Sequence, residues 1–452
     1  MDCFFKAKAV AIVGASPSEG KLSNVIMQSM KDAAFPGEVF YVNPKYPAKN
    51  YYPDIRSIGK PVDMAVFAMS AEYVPGLLKG LGGVLKGAVV VSGGFSETGA
   101  VGAAHEKALL ETARNEGIRL IGPNCLGIYD TVSGVDTFFI PRERAGRPRK
   151  GRIAILSQSG SFALTAMDEM AAEGLGVSRV VSYGNRVDVS EAECLDFLST
   201  DEHTDVVIVY IEGINNGRAF VEAARRCSAK KTVLAYKVGR YGSAERAARS
   251  HTGSIAGRYE IYRAAFKKAG VVELGSYEEL MDSCRVLSKS PVMPKGRRVA
   301  IITDGGGMGV GIADACEAAG LDVTQLAENK ANELRSVFPA YFTVSNPIDL
   351  TGSVTDEWYA LSLKTVLEGD GYDMAIVAAL WGPPGLTDKL PMMLAEEAQK
   401  AAKPVIICSP GGSFTLSKRA LFEKAGLPVF STPEGAVRAA SVLVKKSVLN
   451  HI

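Results

Sequence analysis

One pattern recurs three times along the chain: an apolar, β-branched run ends in a Gly- or Ser-rich turn that opens a helix. It begins at Val10, Ile153 and Val299, at intervals of 143 and 146 residues. Between these points, short apolar runs alternate with helical stretches, which is typical of parallel strands covered on both faces. Alternation of this kind requires right-handed crossovers. The sequence therefore predicts an α/β protein of three doubly wound domains, residues 1–145, 146–292 and 293–452.

Composition supports this division and excludes several classes of protein. The length of 452 residues suits about three domains at roughly 150 residues each. Lys and Arg number 51 against 49 Asp and Glu, a net charge of +2, which predicts no nucleic-acid partner and no membrane surface. No run of about 18 apolar residues exists, so no transmembrane helix is predicted. The N-terminus leads directly into the first strand, which indicates that it is not a signal peptide.

The cysteines and histidines limit the chemistry further. The seven cysteines are scattered without a CxxC pair, which predicts reduced thiols in a cytoplasmic protein. The four histidines have no metal-ligand spacing, so we expect no metal site built from this chain alone.

The first glycine turn predicts a phosphate-bearing ligand. Gly14 and Ser16 follow the first strand and precede a helix, where open α/β sheets bind phosphates. The spacing differs from GxGxxG, and Lys45 stands where an NAD site needs an acidic residue. A Walker A loop also fails, because Leu22 follows Lys21 where Ser or Thr is required. A nucleotide with an additional phosphate fits better than NAD or ATP, although an unliganded Rossmann-like domain stays open.

Two later turns of the first block face the same predicted edge, at residues 92–97 and 122–127. They contain Ser92, Gly93, Glu97 and Asn124. The alternative for each segment is a tight turn whose residues contact no ligand. Cys125 has no neighbouring base in the sequence, which favours a packed thiol over a nucleophile.

The second block holds the most informative histidine. His251 lies in a Gly-, Ser-, Ala- and Arg-rich stretch of about 20 residues, and long loops inside compact domains are usually functional. Arg240, Arg246 and Arg249 surround it with positive charge, and neutral imidazole is a competent nucleophile near pH 7. Glu212 ends an apolar strand and could orient the imidazole. The alternatives are that His251 is a structural histidine and that Glu212 is a solvated acid at the end of its strand.

Two helix starts could hold a phosphoryl group through their N–H groups and positive dipole ends. The residues concerned are Ser157, Gln158, Ser159 and Gly160 in the second block, and Gly305, Gly306 and Gly307 in the third.

Taken together, these residues resemble a known family over nearly the whole chain. The matching motifs are VAIVGAS, VNPKY, SGGFSE, IGPNCLGI, ILSQSGSFA, SYGNRVDV, YIEGI, SHTGSIAG and NPIDLTG. They are similar to those of the α subunit of nucleoside-diphosphate-forming acyl-CoA synthetases, specifically ADP-forming acetyl-CoA synthetase, within the succinyl-CoA synthetase superfamily. The resemblance implies a Rossmann-like CoA-binding domain followed by two flavodoxin-like domains.

The resemblance also implies roles for individual residues. His251 matches the phosphorylated histidine and Glu212 the carboxylate that positions it. The two helix starts match the phosphate-binding segments. The CoA-contacting region corresponds to Gly14, Ser16, Lys21, Lys45, Ser92, Gly93, Glu97 and Asn124. Asp304 departs from the family pattern, because a carboxylate beside bound phosphate would repel it unless the side chain points away.

The family requires an ATP-grasp module, for which the three blocks leave no residues. The resemblance therefore implies a separate β subunit that binds ADP or ATP and Mg²⁺, with an α₂β₂ heterotetramer as the default. The implied reaction converts acetyl-CoA, ADP and phosphate reversibly into acetate, CoA and ATP. The same chemistry on succinate, a branched-chain acid or an aryl acid stays open, as does a non-catalytic CoA-binding regulatory protein. An NAD-dependent oxidoreductase is a more distant alternative.

Overall fold

The computed structural model describes residues 1–46, 48, 50–242, 258–290 and 292–449. The chain divides into two compact units, Met1–Leu274 and Gly275–Ile452. The first unit holds two sheets and the second holds one. All three sheets are built around parallel strands, which confirms the predicted three-domain α/β fold class. No helix in the described part of the chain combines the length and apolarity needed to cross a bilayer.

The first sheet has six parallel strands in the order β3-β2-β1-β4-β5-β6. Its strands are β1 (Ala9–Val13), β2 (Glu38–Val42), β3 (Tyr51–Tyr52), β4 (Val62–Phe67), β5 (Leu85–Val90) and β6 (Arg119–Ile121). Its helices are α1 (Asp2–Phe5), α2 (Leu22–Asp32), α3 (Val74–Leu78) and α4 (Ala100–Glu116). The strand order reverses between β1 and β4, and ligands of open α/β sheets bind at such a reversal.

The second sheet has the order β13-β12-β11-β9-β10-β7-β8. Its strands are β7 (Gly127–Asp130), β8 (Val135–Asp136), β9 (Lys150–Ser157), β10 (Val177–Ser182), β11 (Val206–Ile211), β12 (Thr232–Lys237) and β13 (Val272–Glu273). Its helices are α5 (Gly160–Ala172), α6 (Glu191–Ser199), α7 (Gly217–Ser228) and α8 (Tyr259–Ala269). The β7–β8 hairpin pairs antiparallel with β10, so residues that precede the predicted boundary at 145 extend the second sheet.

The third sheet is fully parallel, in the order β15-β14-β16-β17-β18. Its strands are β14 (Val299–Thr303), β15 (Ile348–Asp349), β16 (Met374–Ala378), β17 (Val405–Cys408) and β18 (Val429–Phe430). The helices of this unit are α9 (Tyr277–Lys289), α10 (Gly306–Ala318), α11 (Glu328–Arg335), α12 (Asp356–Leu367), α13 (Leu390–Ala401), α14 (Ser413–Lys424) and α15 (Pro433–Leu449).

Helix α9 precedes the predicted boundary at residue 293 but lies in the second compact unit. The Asp282 carboxylate accepts a hydrogen bond from Arg438 Nε of α15 at 2.7 Å, and Glu279 accepts from Lys445 at 2.6 Å. Val286 of α9 is fully buried in the core that α15 forms with β14 and β16. The two compact units therefore divide between Leu274 and Gly275.

Candidate active site

The first glycine turn lies at the strand-order reversal of the first sheet. Gly14 follows β1 directly and has φ +82°, and a Cβ there would lie 3.0 Å from the Ala68 carbonyl oxygen. Its N–H donates to the Val42 carbonyl at 2.9 Å. Ser16 is buried, with its Oγ 3.3 Å from the Tyr46 hydroxyl. The turn is thus held tightly between β2 and β4, and only glycine fits its first position without strain.

Two exposed lysines flank this turn. Lys21 caps the start of α2, and Lys45 follows β2. The Lys45 N–H donates to Asn43 Oδ1 at 3.0 Å, and Asn43 Nδ2 donates to the Ala15 carbonyl at 2.8 Å, which joins the second turn to the first. Two ammonium groups at the reversal of an open sheet suit a ligand with several phosphates.

The turns after β5 and β6 meet at the same edge. The Asn124 N–H donates to the Ser92 carbonyl at 2.9 Å, and Asn124 has φ +56°. The Ser92 hydroxyl accepts from the Met69 N–H at 3.0 Å, and Glu97 Oε1 accepts from the Gly94 N–H at 2.6 Å. The side chains of Ser92 and Glu97 therefore shape the loop, while Gly93 and Asn124 remain exposed at its surface.

Asn185 is a residue of this region that sequence reasoning did not single out. It follows β10 of the second sheet, and its Nδ2 donates to Glu97 Oε2 and to Glu106 Oε2, each at 2.8 Å. Burial acts to raise the pKa of Glu97, but the hydrogen bonds from Asn185 and the backbone outweigh it and lower that pKa. Asn185 thereby ties the loop after β5 to the second sheet. Its only sequence signal was its place in the SYGNRVDV motif.

Cys125 is a packed thiol, as predicted. It is buried, its sulfur donates to the Val90 carbonyl at 3.4 Å, and burial raises the pKa of the thiol to about 12. A thiol that stays protonated at neutral pH is a poor nucleophile.

The two predicted phosphate-binding helix starts share one local structure. At α5, the Ser157 hydroxyl donates to the Ser159 carbonyl at 2.7 Å and accepts from the Ser159 N–H at 3.1 Å. At α10, the Thr303 hydroxyl makes the same two bonds with Gly305, both at 3.0 Å. In each case a strand-end hydroxyl closes the turn, so that the first N–H groups of the helix face the sheet edge. Gly160 is the first residue of α5.

Two glycines of the α10 start, Gly305 and Gly306, are closely approached by neighbouring side chains. A Cβ on Gly305 would lie 2.5 Å from Leu380 Cδ1, and a Cβ on Gly306 would lie 2.6 Å from Asp349 Oδ2. Gly307 has open space beside it and is exposed. The ends of β15 and β16 therefore approach the helix start from two sides and leave Gly307 at the surface.

Asp304 points away from the α10 start. Its carboxylate accepts from the Leu380 N–H, with its two oxygens at 3.1 and 3.3 Å. Burial, the largest cause, raises the pKa of Asp304 to about 6. The carboxylate thus holds the main chain that follows β16.

Glu212 lies in a buried turn directly after β11, which pairs with β9 and its Ser157 end. Gln158 holds this turn: its Oε1 accepts from the N–H groups of Glu212 and Gly213, and its Nε2 donates to the Gly213 carbonyl at 3.0 Å. Arg186, also buried, donates to that carbonyl and pairs with Glu191 at 3.3 Å. The side-chain amide of Gln158 is thus engaged in positioning the Glu212 turn, whereas phosphate binding was predicted for the main-chain N–H groups of this segment.

Aromatic rings lie beside Glu212. The Tyr210 ring stacks on Phe162 of α5 with centroids 4.2 Å apart. Burial and the Glu212 carboxylate raise the pKa of Tyr210. Ser157, Gln158 and Glu212 are thus brought together at the ends of adjacent strands.

His251, Arg246 and Arg249 lie outside the described residues. Arg240 lies within them, and its Nε donates to the Lys237 carbonyl at 2.5 Å. Among the described residues, no group of three His, Cys, Asp or Glu side chains is placed to hold a metal ion.

Three family models match successive parts of the chain. A CoA binding domain covers residues 8–131, a succinyl-CoA ligase-like flavodoxin domain covers 150–287, and a ligase-CoA domain covers 299–432. The α subunit of ADP-forming acetate–CoA ligase II of Pyrococcus furiosus is 34% identical, over 99% of this chain and 98% of that subunit. The chain belongs to the ADP-forming acetate–CoA ligase family. This confirms the resemblance of its motifs.

Two further proteins are similar to this chain over its whole length. ADP-forming acetate–CoA ligase I of Archaeoglobus fulgidus is 38% identical over 100% of this chain, which spans 64% of that relative's length. A solved acetyl-CoA synthetase 1 of Candidatus Korarchaeum cryptofilum, in complex with phosphate and ADP, matches at 31% identity with a TM-score of 0.90. That match covers 100% of this chain and 97% of the other.

Proposed function

We propose that this chain is the α subunit of an ADP-forming acetate–CoA ligase. The reaction converts acetyl-CoA, ADP and phosphate reversibly into acetate, CoA and ATP. The observation that carries the proposal is the buried Glu212 turn beside the Ser157–Ser159 helix start, in a chain that matches the Pyrococcus α subunit over nearly all of both lengths.

The reaction proceeds in three transfers. A phosphate oxygen attacks the thioester carbonyl carbon, the C–S bond breaks, and acetyl phosphate and CoA form. Nε2 of His251 then attacks phosphorus, the bond to the acetate oxygen breaks, and acetate leaves. Finally an oxygen of the ADP β-phosphate takes the phosphoryl group from His251, which gives ATP. Neutral imidazole is required in the second transfer, and a carboxylate on its other nitrogen holds the right tautomer.

The described residues support these steps by position and charge. Gly14, Ser16, Lys21 and Lys45 suit the phosphates of CoA, with the turns at 92–97 and 122–127 beside them. The α5 and α10 starts offer N–H groups and positive dipole ends to phosphate and to the transferred phosphoryl group. Glu212 is the orienter of His251 in this proposal.

The complete enzyme requires a partner. We infer an ATP-grasp β subunit that holds ADP and Mg²⁺, in an α₂β₂ assembly. The name of the Pyrococcus relative as an α subunit supports the partner, and the part of the Archaeoglobus ligase beyond this match leaves room for a fused equivalent. We place the enzyme in the cytoplasm, which the seven free cysteines support.

The first test is transfer of label to His251. The chain, co-expressed with its ATP-grasp partner, is incubated with acetyl-CoA and labelled phosphate. We expect one acid-labile label per chain, lost in His251→Asn and retained in His203→Asn, which changes an exposed histidine. Label on His251→Asn would refute the assignment, and an absence of both label and ATP synthesis in the wild type would favour a CoA-binding regulatory protein.

The second test concerns Glu212. Glu212→Gln keeps the shape of the side chain but loses its charge, so we expect phosphorylation of His251 to slow at least tenfold. Glu202→Gln, at an exposed position, is the matched control. Unchanged kinetics in Glu212→Gln would remove Glu212 from the mechanism.

Substrate choice is tested on the same preparation. Acetyl-, succinyl-, branched-chain and aryl-CoA thioesters are compared by kcat/KM. We expect acetyl-CoA to be preferred, although discrimination between acids that differ by one methylene is worth only about 1–3 kcal/mol. A higher kcat/KM for another acid would replace acetate in the proposal.

A further inference from the structure

A buried lysine lies directly beneath the Glu212 turn. Lys237 is the last residue of β12, pairs in register with Ile211 of β11, and is 1% exposed. Lysine is almost never fully buried unless its ammonium group is partnered, because removing that charge from water is costly. Neither the family models nor the predicted site assigned this residue a role.

The Lys237 ammonium group binds the main chain that follows two neighbouring strands, β11 and β12. It donates to the Glu212 carbonyl at 2.9 Å and to the Val238 carbonyl. Val238 begins the stretch that contains His251 in the sequence. One side chain thus joins the residue after β11 to the residue after β12, so that neither can shift without breaking a charge-assisted hydrogen bond.

The same ammonium group reaches the helix that follows His251. It lies 4.7 Å from the centroid of the Tyr262 ring in α8, within the range of a cation–π contact. The Tyr262 hydroxyl in turn accepts from the Ile214 N–H at 3.3 Å. Lys237 and Tyr262 therefore connect the Glu212 turn with the described chain on either side of residues 243–257.

We propose that Lys237 is a positioning residue for His251 phosphorylation, acting by fixing the main chain of Glu212 relative to the two ends of the His251 segment. The inference rests on the proposed function. It requires that Lys237 act through Glu212 rather than on CoA, whose predicted site is at the edge of the first sheet.

The test compares Lys237→Met with the wild type in the complete αβ enzyme. We expect the rate constant for labelling His251 from acetyl-CoA and labelled phosphate to fall at least tenfold, with the KM for acetyl-CoA changed less than twofold. Loss of folding alone would lower the final amount of label but would leave the labelling rate constant of the folded chains and the KM unchanged.

Lys403→Met is the matched control for losing a lysine that binds main-chain carbonyls. Lys403 donates to the carbonyls of Leu367, Gly369 and Tyr372 at 2.5–2.8 Å, within the second unit. We expect Lys403→Met to lower the thermal midpoint while the labelling rate per folded chain stays within twofold of the wild type.

A double-mutant cycle tests whether Lys237 acts through Glu212. In the Glu212→Gln background, adding Lys237→Met should slow labelling by less than twofold, because the carboxylate it positions is already gone. Lys237→Gln is a milder variant that keeps an N–H donor but loses the charge and the length of the side chain, and we expect a threefold or greater loss in labelling rate. It keeps the inference testable if Lys237→Met does not fold.

The outcomes separate the inference from the function on which it rests. Labelling of Lys237→Met or Lys237→Gln at the wild-type rate, or full additivity with Glu212→Gln, would overturn the role of Lys237 while leaving the ligase assignment intact. Failure of the wild-type enzyme to label His251 at all would overturn the proposed function and this inference with it.

Discussion

At the scale of single residues, Gly14 links backbone conformation to ligand binding. We expect Gly14→Ala to lower the free energy of unfolding by about 1–2 kcal/mol, because alanine is strained at φ +82° and its Cβ would crowd the Ala68 carbonyl. The displaced turn should also weaken CoA binding about tenfold. Urea unfolding and calorimetric titration with CoA measure the two effects.

Gly20→Ala is the matched control for this prediction. Gly20 has φ +79°, but a Cβ added there would have no atom within 4 Å. We expect a similar conformational cost of about 1 kcal/mol with unchanged CoA affinity. Equal CoA affinity in both variants would contradict a role for the Gly14 turn in binding.

Asp304 makes stability depend on pH. Burial raises its pKa to about 6 in the folded state, whereas an unfolded Asp has its ordinary pKa near 3.8. Between these values the folded chain holds more protons, so this residue's contribution to stability is present at low pH and is lost as pH rises to about 6. Asp304→Asn does not titrate, and its side-chain oxygen can still accept from the Leu380 N–H. We therefore expect the variant to lack this decrease in unfolding free energy, which is at most about 3 kcal/mol.

The measurement is the free energy of urea unfolding of both proteins between pH 4.5 and 8. The unfolding free energy of the variant, relative to that of the wild type, should increase as pH rises to about 6 and then stay constant. A constant difference across this range would show that Asp304 titrates normally in the folded chain.

At the scale of secondary-structure elements, the two matched helix starts make a testable pair. Ser159 caps α5 by accepting from the Phe162 N–H, whereas Gly305 occupies the same position at α10. We expect Ser159→Ala to cost about 1 kcal/mol of unfolding free energy and Ser159→Gly only a few tenths, because glycine tolerates the cap position. Urea unfolding distinguishes them, and equal losses would contradict the cap assignment.

The strands were more predictable than the contacts between their ends. Strand β11 lies in the uninterrupted apolar run VVIVYI, which is typical of the interior of a covered sheet. The β7–β8 hairpin was not predicted to join the second sheet, since its pairing with β10 depends on residues distant in the sequence. Strand registers of this kind carry no local signal.

At the scale of the whole molecule, α9 decides where the second unit begins. We expect a fragment of residues 275–452 to unfold cooperatively and a fragment of 293–452 to be markedly less stable. The shorter fragment would expose the core face that Val286 covers and leave Arg438 and Lys445 without Asp282 and Glu279. Thermal unfolding followed by circular dichroism compares them, and equal midpoints would favour the boundary at 293.

The sequence by itself determined the fold class, the family and the order of the site motifs. Those properties follow from apolar periodicity and from short motifs such as YIEGI, which are local in the chain. The placement of Glu212 at the end of a strand also followed, because the apolar run YI before it continues a buried strand.

Only the tertiary structure decided how that site is held. Gln158 uses its side-chain amide on the Glu212 turn, and Asp304 turns to the Leu380 N–H. Asn185 and Lys237 became visible only through partners far away in sequence, at Glu97 and Glu212. Hydrogen-bond partners of buried polar groups are fixed by three-dimensional packing, and a one-dimensional pattern does not encode them.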